Sequence, residues 1–318
     1  MTVGTNAEES IALPTTTALR EAAPGAPFAL ALHGGAGGRI QEFSSEETAA
    51  FESGLATAYR AGEVVLARGG HAVDAVTAAV VELENDPLFN AGRGAALTAS
   101  GGAELDASIM DGSGYAGAIA ASTHARNPVL VARAVMEKSP HLFLVAPSLE
   151  LLAGWGLESA EQDYFITEHR LQQLARVQAG SFASRHGTVG AVARDSEGRL
   201  AAATSTGGMV NQSAGRIGDT PMIGAGNYAR NGFGAVSCTG EGEAFIRGVV
   251  AYDIVARMRY AGTGLASAVV ATIEEELTAR GSSGGLVSID GAGRVVVAHN
   301  SPRMFAAFHD GTDLVTLT

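Results

Sequence analysis

Two runs of small apolar residues, 188–194 and 200–205, flank Asp195-Ser196-Glu197-Gly198 and set the tightest limit on the fold. A polar four-residue link ending in glycine between two such runs predicts a β-hairpin. A second hairpin is predicted where Asp290-Gly291-Ala292-Gly293 joins 286–289 to 295–298. Hairpins require antiparallel pairing, so neither stretch can belong to a βαβ repeat. Strand-like segments also cover 103–110 and 115–122. Phe28-Ala29-Leu30-Ala31-Leu32 reads as a short strand running into His33-Gly34-Gly35-Ala36-Gly37-Gly38.

Helices are predicted in pairs. Over 45–68, Ser44 and Glu47 form a capping box, and Phe51, Leu55, Tyr59, Gly62 and Leu66 share one face before Gly69-Gly70 ends the helix. Over 72–84, Val73, Val76 and Val80 point inward. Further helices are expected at 128–138, with Pro128 in its first turn, at 147–155, at 264–280, and at 243–260, with Phe245, Val249, Tyr252 and Ala256 on one face. Segment 161–187 is polar and weakly patterned, and reads as exposed and mobile. Together these elements predict a layered α+β fold, one domain over 28–318 behind a flexible tail, 1–27.

Composition removes several function classes. The net charge is -12 and no basic cluster occurs, which excludes nucleic acid as a partner. Lys138 is the sole lysine, so a P-loop or Schiff-base lysine has no other candidate. A single cysteine, Cys238, forbids an internal disulfide and fits a reducing compartment. No apolar run approaches the ~18 residues of a membrane span, and residues 1–27 lack a signal-peptide pattern, so a cytoplasmic location is expected. The G-x-G-x-x-G begun by Gly35 fails at Ile40, and the G-x-S-x-G at 281–285 leads into a strand, where a nucleophile elbow needs a helix. The eight histidines contain no pair at i, i+3 or i, i+4, which leaves a zinc site without support.

The residues that can carry chemistry cluster downstream of Gly187. Thr188 at a strand start is explained by β propensity alone. It is also a candidate nucleophile once the Gly187–Thr188 bond is cut, because a free N-terminal threonine brings its own base. Gly187 tolerates strained backbone, and the predicted hairpin brings Thr204, Ser205 and Thr206 opposite residue 188. Arg216 and Asp219 stand three apart in a glycine-rich loop. They suit either a solvated ion pair or a clamp for the α-carboxylate and α-amine of an amino acid. Thr239-Gly240, just before the helix predicted at 243, reads as an ordinary N-cap or as an oxyanion site.

Taken together, HGGAGG at 33–38, Pro87-Leu88-Phe89-Asn90-Ala91-Gly92, Leu105-Asp106-Ala107-Ser108-Ile109-Met110-Asp111-Gly112, Arg126-Asn127-Pro128, HGTVGAVA, TSTGG, GRIGD and CTGEGE resemble the plant-type L-asparaginase/isoaspartyl peptidase family of N-terminal nucleophile hydrolases. The resemblance spans about 29 to 308. It implies a four-layer αββα sandwich, two antiparallel sheets between helices. It also implies self-cleavage between Gly187 and Thr188 into 1–187 and 188–318, and an (αβ)2 homo-oligomer. By the same resemblance Thr188 is the nucleophile and Thr206 its hydroxyl neighbour. Arg216 and Asp219 hold the substrate, Gly242 lines the pocket, Asn90 meets the new N-terminus, and Thr239 with Gly240 forms the oxyanion hole. Backbone oxygens of Leu83, Glu84, Asp86, Phe89, Ala91 and Arg93 are implied to bind a structural sodium ion, with no cofactor for catalysis. The implied substrates are L-asparagine and β-aspartyl dipeptides. A glycosylasparaginase-like amidase shares the nucleophile, but the single cysteine and missing signal pattern count against it. An unprocessed, inactive amino-acid-binding homologue is the other alternative.

Overall fold

A computed structural model describes residues 17–23, 27–37, 43–180 and 187–318. In chain order the elements are β1 (Ala18–Ala22), β2 (Ala29–Gly37), α1 (Ser45–Ala67), α2 (Ala72–Asn85), β3 (Leu105–Asp111), β4 (Ala116–Ser122), α3 (Pro128–Lys138), β5 (Phe143–Val145), α4 (Leu149–Gly154), α5 (Gln162–Phe165) and α6 (Glu168–Gln178). They continue as β6 (Val189–Arg194), β7 (Leu200–Thr206), β8 (Asn227–Arg230), β9 (Gly234–Gly240), α7 (Gly242–Gly248), α8 (Val250–Ala261), α9 (Leu265–Thr272), β10 (Gly284–Asp290), β11 (Val295–His299), β12 (Arg303–His309) and β13 (Leu314–Leu317).

The strands form an eight-stranded sheet, β13-β12-β2-β6-β7-β3-β4-β5, and a five-stranded sheet, β1-β11-β10-β9-β8. Alternation along each strand sends side chains to opposite faces. Leu30 and Leu32 of β2 and Ala191 and Ala193 of β6 pack under α1, α2 and α3, against Leu55, Tyr59, Val76 and Val135. Ala31, Val192, Ala202 and Ala306 point the other way, against Ala229, Ala235, Val287 and Ile289 of the second sheet. The outer face of that sheet packs Val236, Leu286 and Val296 under Phe245, Ile254 and Val269 of α7–α9. The result is an αββα sandwich whose inner seam is lined largely by small and β-branched residues.

Both predicted hairpins form, β6–β7 and β10–β11. The capping box on α1 makes both of its reciprocal bonds. Four expectations need correction. Segment 161–187 contains α5 and α6; α6 is a surface helix with one narrow apolar face, built on Leu174 beside Phe165, Leu97 and Leu105. Such a helix carries few apolar positions and hides in a polar sequence. Residues 181–186 lie outside the described residues, as do 1–16. The tail does not extend to residue 27, because Ala18–Ala22 pairs with β11 as an edge strand and buries Ala22.

The helix expected over 243–260 breaks at Val249, which has φ 47° and is 44% exposed. The break lets the first α8 amides reach loop carbonyls, Tyr252 N–H to Gly224 O at 2.8 Å and Ala251 N–H to Ala225 O at 3.3 Å. Tyr252 is consequently exposed as well. The helix expected over 264–280 keeps α geometry only to Thr272, then widens to a π turn over Ile273–Leu277 and tightens to a 3-10 turn over Thr278–Arg280. The sheets are antiparallel except where β5 runs parallel to β4.

Candidate active site

The Gly187–Thr188 junction sits at the mouth of β6, where the β6–β7 register carried one step past Val189↔Ser205 sets Thr188 beside Thr206. Thr188 Oγ1 donates to Thr206 Oγ1 at 3.3 Å. Thr206 Oγ1 donates to the Gly187 carbonyl at 2.9 Å and accepts from Gly208 N–H at 3.0 Å. Asn90 Nδ2 donates to the same Gly187 carbonyl at 2.6 Å and to Gly208 O at 2.8 Å. The Asn90 amide is itself fixed, since its Oδ1 accepts from Ala96 N–H at 2.6 Å. The carbonyl carbon before the threonine is thus polarised by two donors, and the hydroxyl after it has an acceptor. A Cβ on Gly35 of β2 would stand 3.5 Å from Gly187 Cα and 3.7 Å from Thr188 N, so the HGGAGG strand closes directly on the junction.

His33, in the same motif, has a role that the sequence reading did not assign. It is buried between Thr188 O and Ser237 Oγ, 2.8 Å from each. A carbonyl only accepts, so Nδ1 carries the proton and Nε2 accepts from Ser237. Burial drives its pKa down to about 3, so the ring stays neutral and pins the backbone of the nucleophile. Glu84 reaches the neighbouring strand position, accepting from Ser205 Oγ at 2.7 Å and from Val129 N–H of α3 at 2.9 Å. Burial raises its pKa to about 7.

Arg216 and Asp219 do come together, with Gly242 between them. A Cβ on Gly242 would lie 2.9 Å from Asp219 Oδ1 and 3.2 Å from Arg216 Nη2, so glycine is needed there for space. Arg216 gives Nε and Nη2 to Glu243 at 2.8 and 2.9 Å, and Nη1 to Gln212 Oε1 at 3.2 Å. Five guanidinium donors less these three leave two, next to Gly242 and Gly218. Asp219 is buried, its Oδ2 has no hydrogen-bond partner, and burial raises its pKa to about 7 against the pull of Arg216. An orphaned buried carboxylate oxygen beside two spare guanidinium donors fits a zwitterion.

Asp106 ties this clamp to the cradle. It sits across from Thr206 in the β3–β7 ladder, accepts from Ala121 N–H at 2.8 Å, and responds to Arg216 and the Gly218 amide. Thr239 and Gly240 end β9 rather than cap a helix; the residue preceding α7 is Glu241. Thr239 Oγ1 accepts from Ala36 N–H at 3.0 Å, which places it on the Gly35 side of the junction. Gly240, with φ 153°, admits no Cβ: one would stand 2.6 Å from Gly284 Cα and from Phe245 Cε2. Glu243, Gln212 and Asp106 escaped the sequence reading, although CTGEGE and the LDASIMDG run contain two of them.

The loop after α2 carries Asn90. Its oxygens include Glu84 O, which accepts from Arg93 N–H at 2.7 Å, and Asp86 O, which accepts from Phe89 N–H at 3.2 Å. Among the described residues no cluster of histidine, cysteine or carboxylate side chains is set to hold a metal, and no helix is long and apolar enough to cross a membrane.

Comparison with known proteins agrees with this geometry. A family model described as asparaginase matches residues 26–318. The isoaspartyl peptidase of Salmonella typhimurium is 46% identical over 302 residues, covering 90% of this chain and 96% of that protein. The probable isoaspartyl peptidase/L-asparaginase 2 of Arabidopsis thaliana is 39% identical over 318 residues, covering 89% and 97%. The human isoaspartyl peptidase/L-asparaginase is 44% identical over 224 residues, covering 68% and 72%. With a family match that takes in every described element except edge strand β1, the chain belongs to the asparaginase family of N-terminal nucleophile hydrolases.

Proposed function

We propose that this chain is a self-processing threonine amidohydrolase that converts L-asparagine to aspartate and ammonia and hydrolyses β-aspartyl dipeptides. The observation that carries the reading is the Gly187 carbonyl, gripped by Asn90 Nδ2 and Thr206 Oγ1 while Thr206 also receives the Thr188 hydroxyl. In the precursor, Thr188 Oγ attacks the Gly187 carbon. Its proton passes to Thr206, which protonates the developing oxyanion, and Asn90 stabilises the same oxygen. As the intermediate collapses, that proton moves from the oxygen to the Thr188 nitrogen and the C–N bond breaks, leaving an ester to Thr188 Oγ and a free α-amine. Water then hydrolyses the ester.

The α-amine titrates near 7.7–8.0 and serves as the base for its own hydroxyl. Arg216 takes the substrate α-carboxylate and Asp219 the ammonium. Thr188 then attacks the side-chain carbonyl, Thr239 and Gly240 hold the oxyanion, and ammonia or an amino acid leaves. Water releases aspartate.

A structural sodium ion in the loop from Leu83 to Arg93 belongs to the proposal. Hard cations take carbonyl oxygens, and α2 points the carbonyls of its C-terminus at this loop. The loop curls tightly enough that a Cβ on Gly92 would stand 2.5 Å from Glu84 O. Leu83, Glu84, Asp86, Phe89, Ala91 and Arg93 would hold the ion, and its part would be to stiffen the loop bearing Asn90. An (αβ)2 assembly and a cytoplasmic location complete the reading; the single cysteine, Cys238, is buried and free.

A denaturing gel with N-terminal sequencing tests the proposal, beside turnover of asparagine and β-Asp-Leu. Wild type should yield a fragment starting at Thr188 and turn over both compounds, and Thr188→Ala should stay whole and inactive. A Thr188→Ala protein still cut at 188 would assign the cut to another protease.

A further inference from the structure

Arg170 is a buried charge that this chemistry does not use. It is 9% exposed and stands in the first turn of α6, where the Thr167 hydroxyl accepts from its amide. Its Nε donates to the Gly94 carbonyl at 2.5 Å and its Nη1 to Gln173 Oε1 at 2.8 Å. Five donors less these two leave three. No carboxylate among the described residues pairs with it, and burial lowers its pKa to about 10. An isolated buried charge is strongly unfavourable unless something compensates it.

Arg170 opens onto a cavity of about 630 Å³, lined from the same helix by Thr167, His169, Gln173 and Arg176. Gly187 and Asn90 border that cavity too, whereas Arg216 and Asp219 do not. Its acidic members, Glu46 and Glu47, belong to the start of α1, where Glu47 is engaged with Ser44. The cavity therefore reaches the scissile bond without the clamp, and among the described residues its arginines come from helix α6.

We propose that Arg170, with Gln173 and Arg176 beside it on α6, binds a carboxylate in the cavity on the Gly187 side of the scissile bond. The inference rests on the hydrolase reading above, which supplies two sources of that group. When water attacks the ester, the bond from the acyl carbon to Thr188 Oγ breaks, the proton returns to that oxygen, and Gly187 keeps a new carboxylate. A β-aspartyl dipeptide carries a second carboxylate on its leaving amino acid. Asparagine and the amide of the dipeptide present none there.

Two arms separate the sources, both on the processed full protein. In the first, wild type should prefer β-Asp-Leu to β-Asp-leucinamide by about tenfold in kcat/KM, the size of one charge-assisted contact. Arg170→Gln should erase that preference, lowering the ratio of dipeptide to asparagine turnover about tenfold, and Arg170→Lys should restore most of it. In the second arm, carboxypeptidase trimming at Gly187 is followed by mass spectrometry. Wild type should resist trimming, and Arg170→Gln should lose the end residue readily.

A positive first arm assigns the site to the leaving amino acid, and a positive second arm assigns it to the cleaved chain. Equal kcat/KM for dipeptide and amide in wild type, with trimming as fast as in urea-unfolded protein, overturns the proposal, and that result does not need a folded variant. Wild type that neither cleaves nor turns over asparagine would instead sink the hydrolase reading on which it rests.

Discussion

The Gly187–Thr188 junction is held mainly from strands by neutral groups, whereas the Arg216–Asp219 clamp is held in the loop between β7 and β8 by charges. At the junction, Thr188 leads into β6, Thr206 ends β7 and His33 lies in β2. Their contacts are hydroxyl, amide and neutral imidazole. At the clamp, Arg216 is bound by Glu243 and Gln212, and Asp219 keeps an unpartnered oxygen. Strand ladders fix positions closely, which suits a reaction at one peptide bond. Charges act over longer distances and respond to pH, which suits a pocket that must admit and release a zwitterion. Cleavage should therefore depend on positions and barely on pH-sensitive side chains, and substrate affinity should do the reverse.

The largest effect should come from the cradle. Asn90→Ala removes one of two donors to the Gly187 carbonyl, and losing one oxyanion donor typically lowers a rate about 10²–10³-fold. Cleavage half-times of purified precursor would measure this. A variant that cleaves at the wild-type rate would mean that the cradle does not act on the oxyanion.

Arg216→Ala should divide the two regions most clearly. Losing a charge-assisted hydrogen bond is worth about 1.5–3 kcal/mol, or roughly 10- to 150-fold in affinity. KM for asparagine should rise by that factor while the precursor still cuts itself, because the Gly187 carbonyl offers the guanidinium no free carboxylate. A variant with near-normal KM would place the carboxylate elsewhere. A variant that fails to cleave would show that the two regions are one.

How much of this was readable from the chain follows from contact distance. Ser44 with Glu47 and the two hairpin turns act within a few residues, so their local patterns suffice. The His33–Thr188 contact joins residues 155 apart, and Arg216–Glu243 joins residues 27 apart. No periodicity reports such pairs, although both histidine and glutamate fall inside motifs that stood out. Surface helix α6 and edge strand β1 were hidden because each buries little. The break at Val249 leaves no local mark, since a β-branched residue with positive φ runs against its own preference.

The pH response separates the regions on another axis. Burial lifts the Asp219 carboxyl to about 7, with Glu243 and Asp106 adding to the rise and Arg216 opposing it. A substrate ammonium needs the ionised form. KM should therefore rise up to about tenfold per unit as pH falls below 7, and level off above it. The raised value also makes Asp219 lower the stability of the fold as pH climbs from about 4 to about 7, because the unfolded chain gives up the proton first. Asp219→Asn should weaken binding and flatten the KM profile. His33, neutral throughout this range, gives cleavage no matching step. An Asp219→Asn profile that keeps the wild-type slope would assign the titration to another group.

The smallest effect should come from sodium, and it probes how rigid the cradle is made. Asn90 sits on the loop between Leu83 and Arg93, and the loop closes through Arg93 N–H to Glu84 O. A cation bound only by the folded loop stabilises by mass action. At ten times its Kd the gain is about 1.4 kcal/mol, or a few degrees in Tm for a domain of this size. Melting in NaCl should exceed melting in choline chloride at equal ionic strength by that amount. Cleavage should be modestly faster in sodium, because a stiffer loop holds Asn90 Nδ2 on the Gly187 carbonyl. KM should not move, because Arg216 and Asp219 lie in a different loop. Equal melting in the two salts removes the site, and a sodium effect on KM without one on cleavage would couple the cation to the clamp and reverse the division between the two regions.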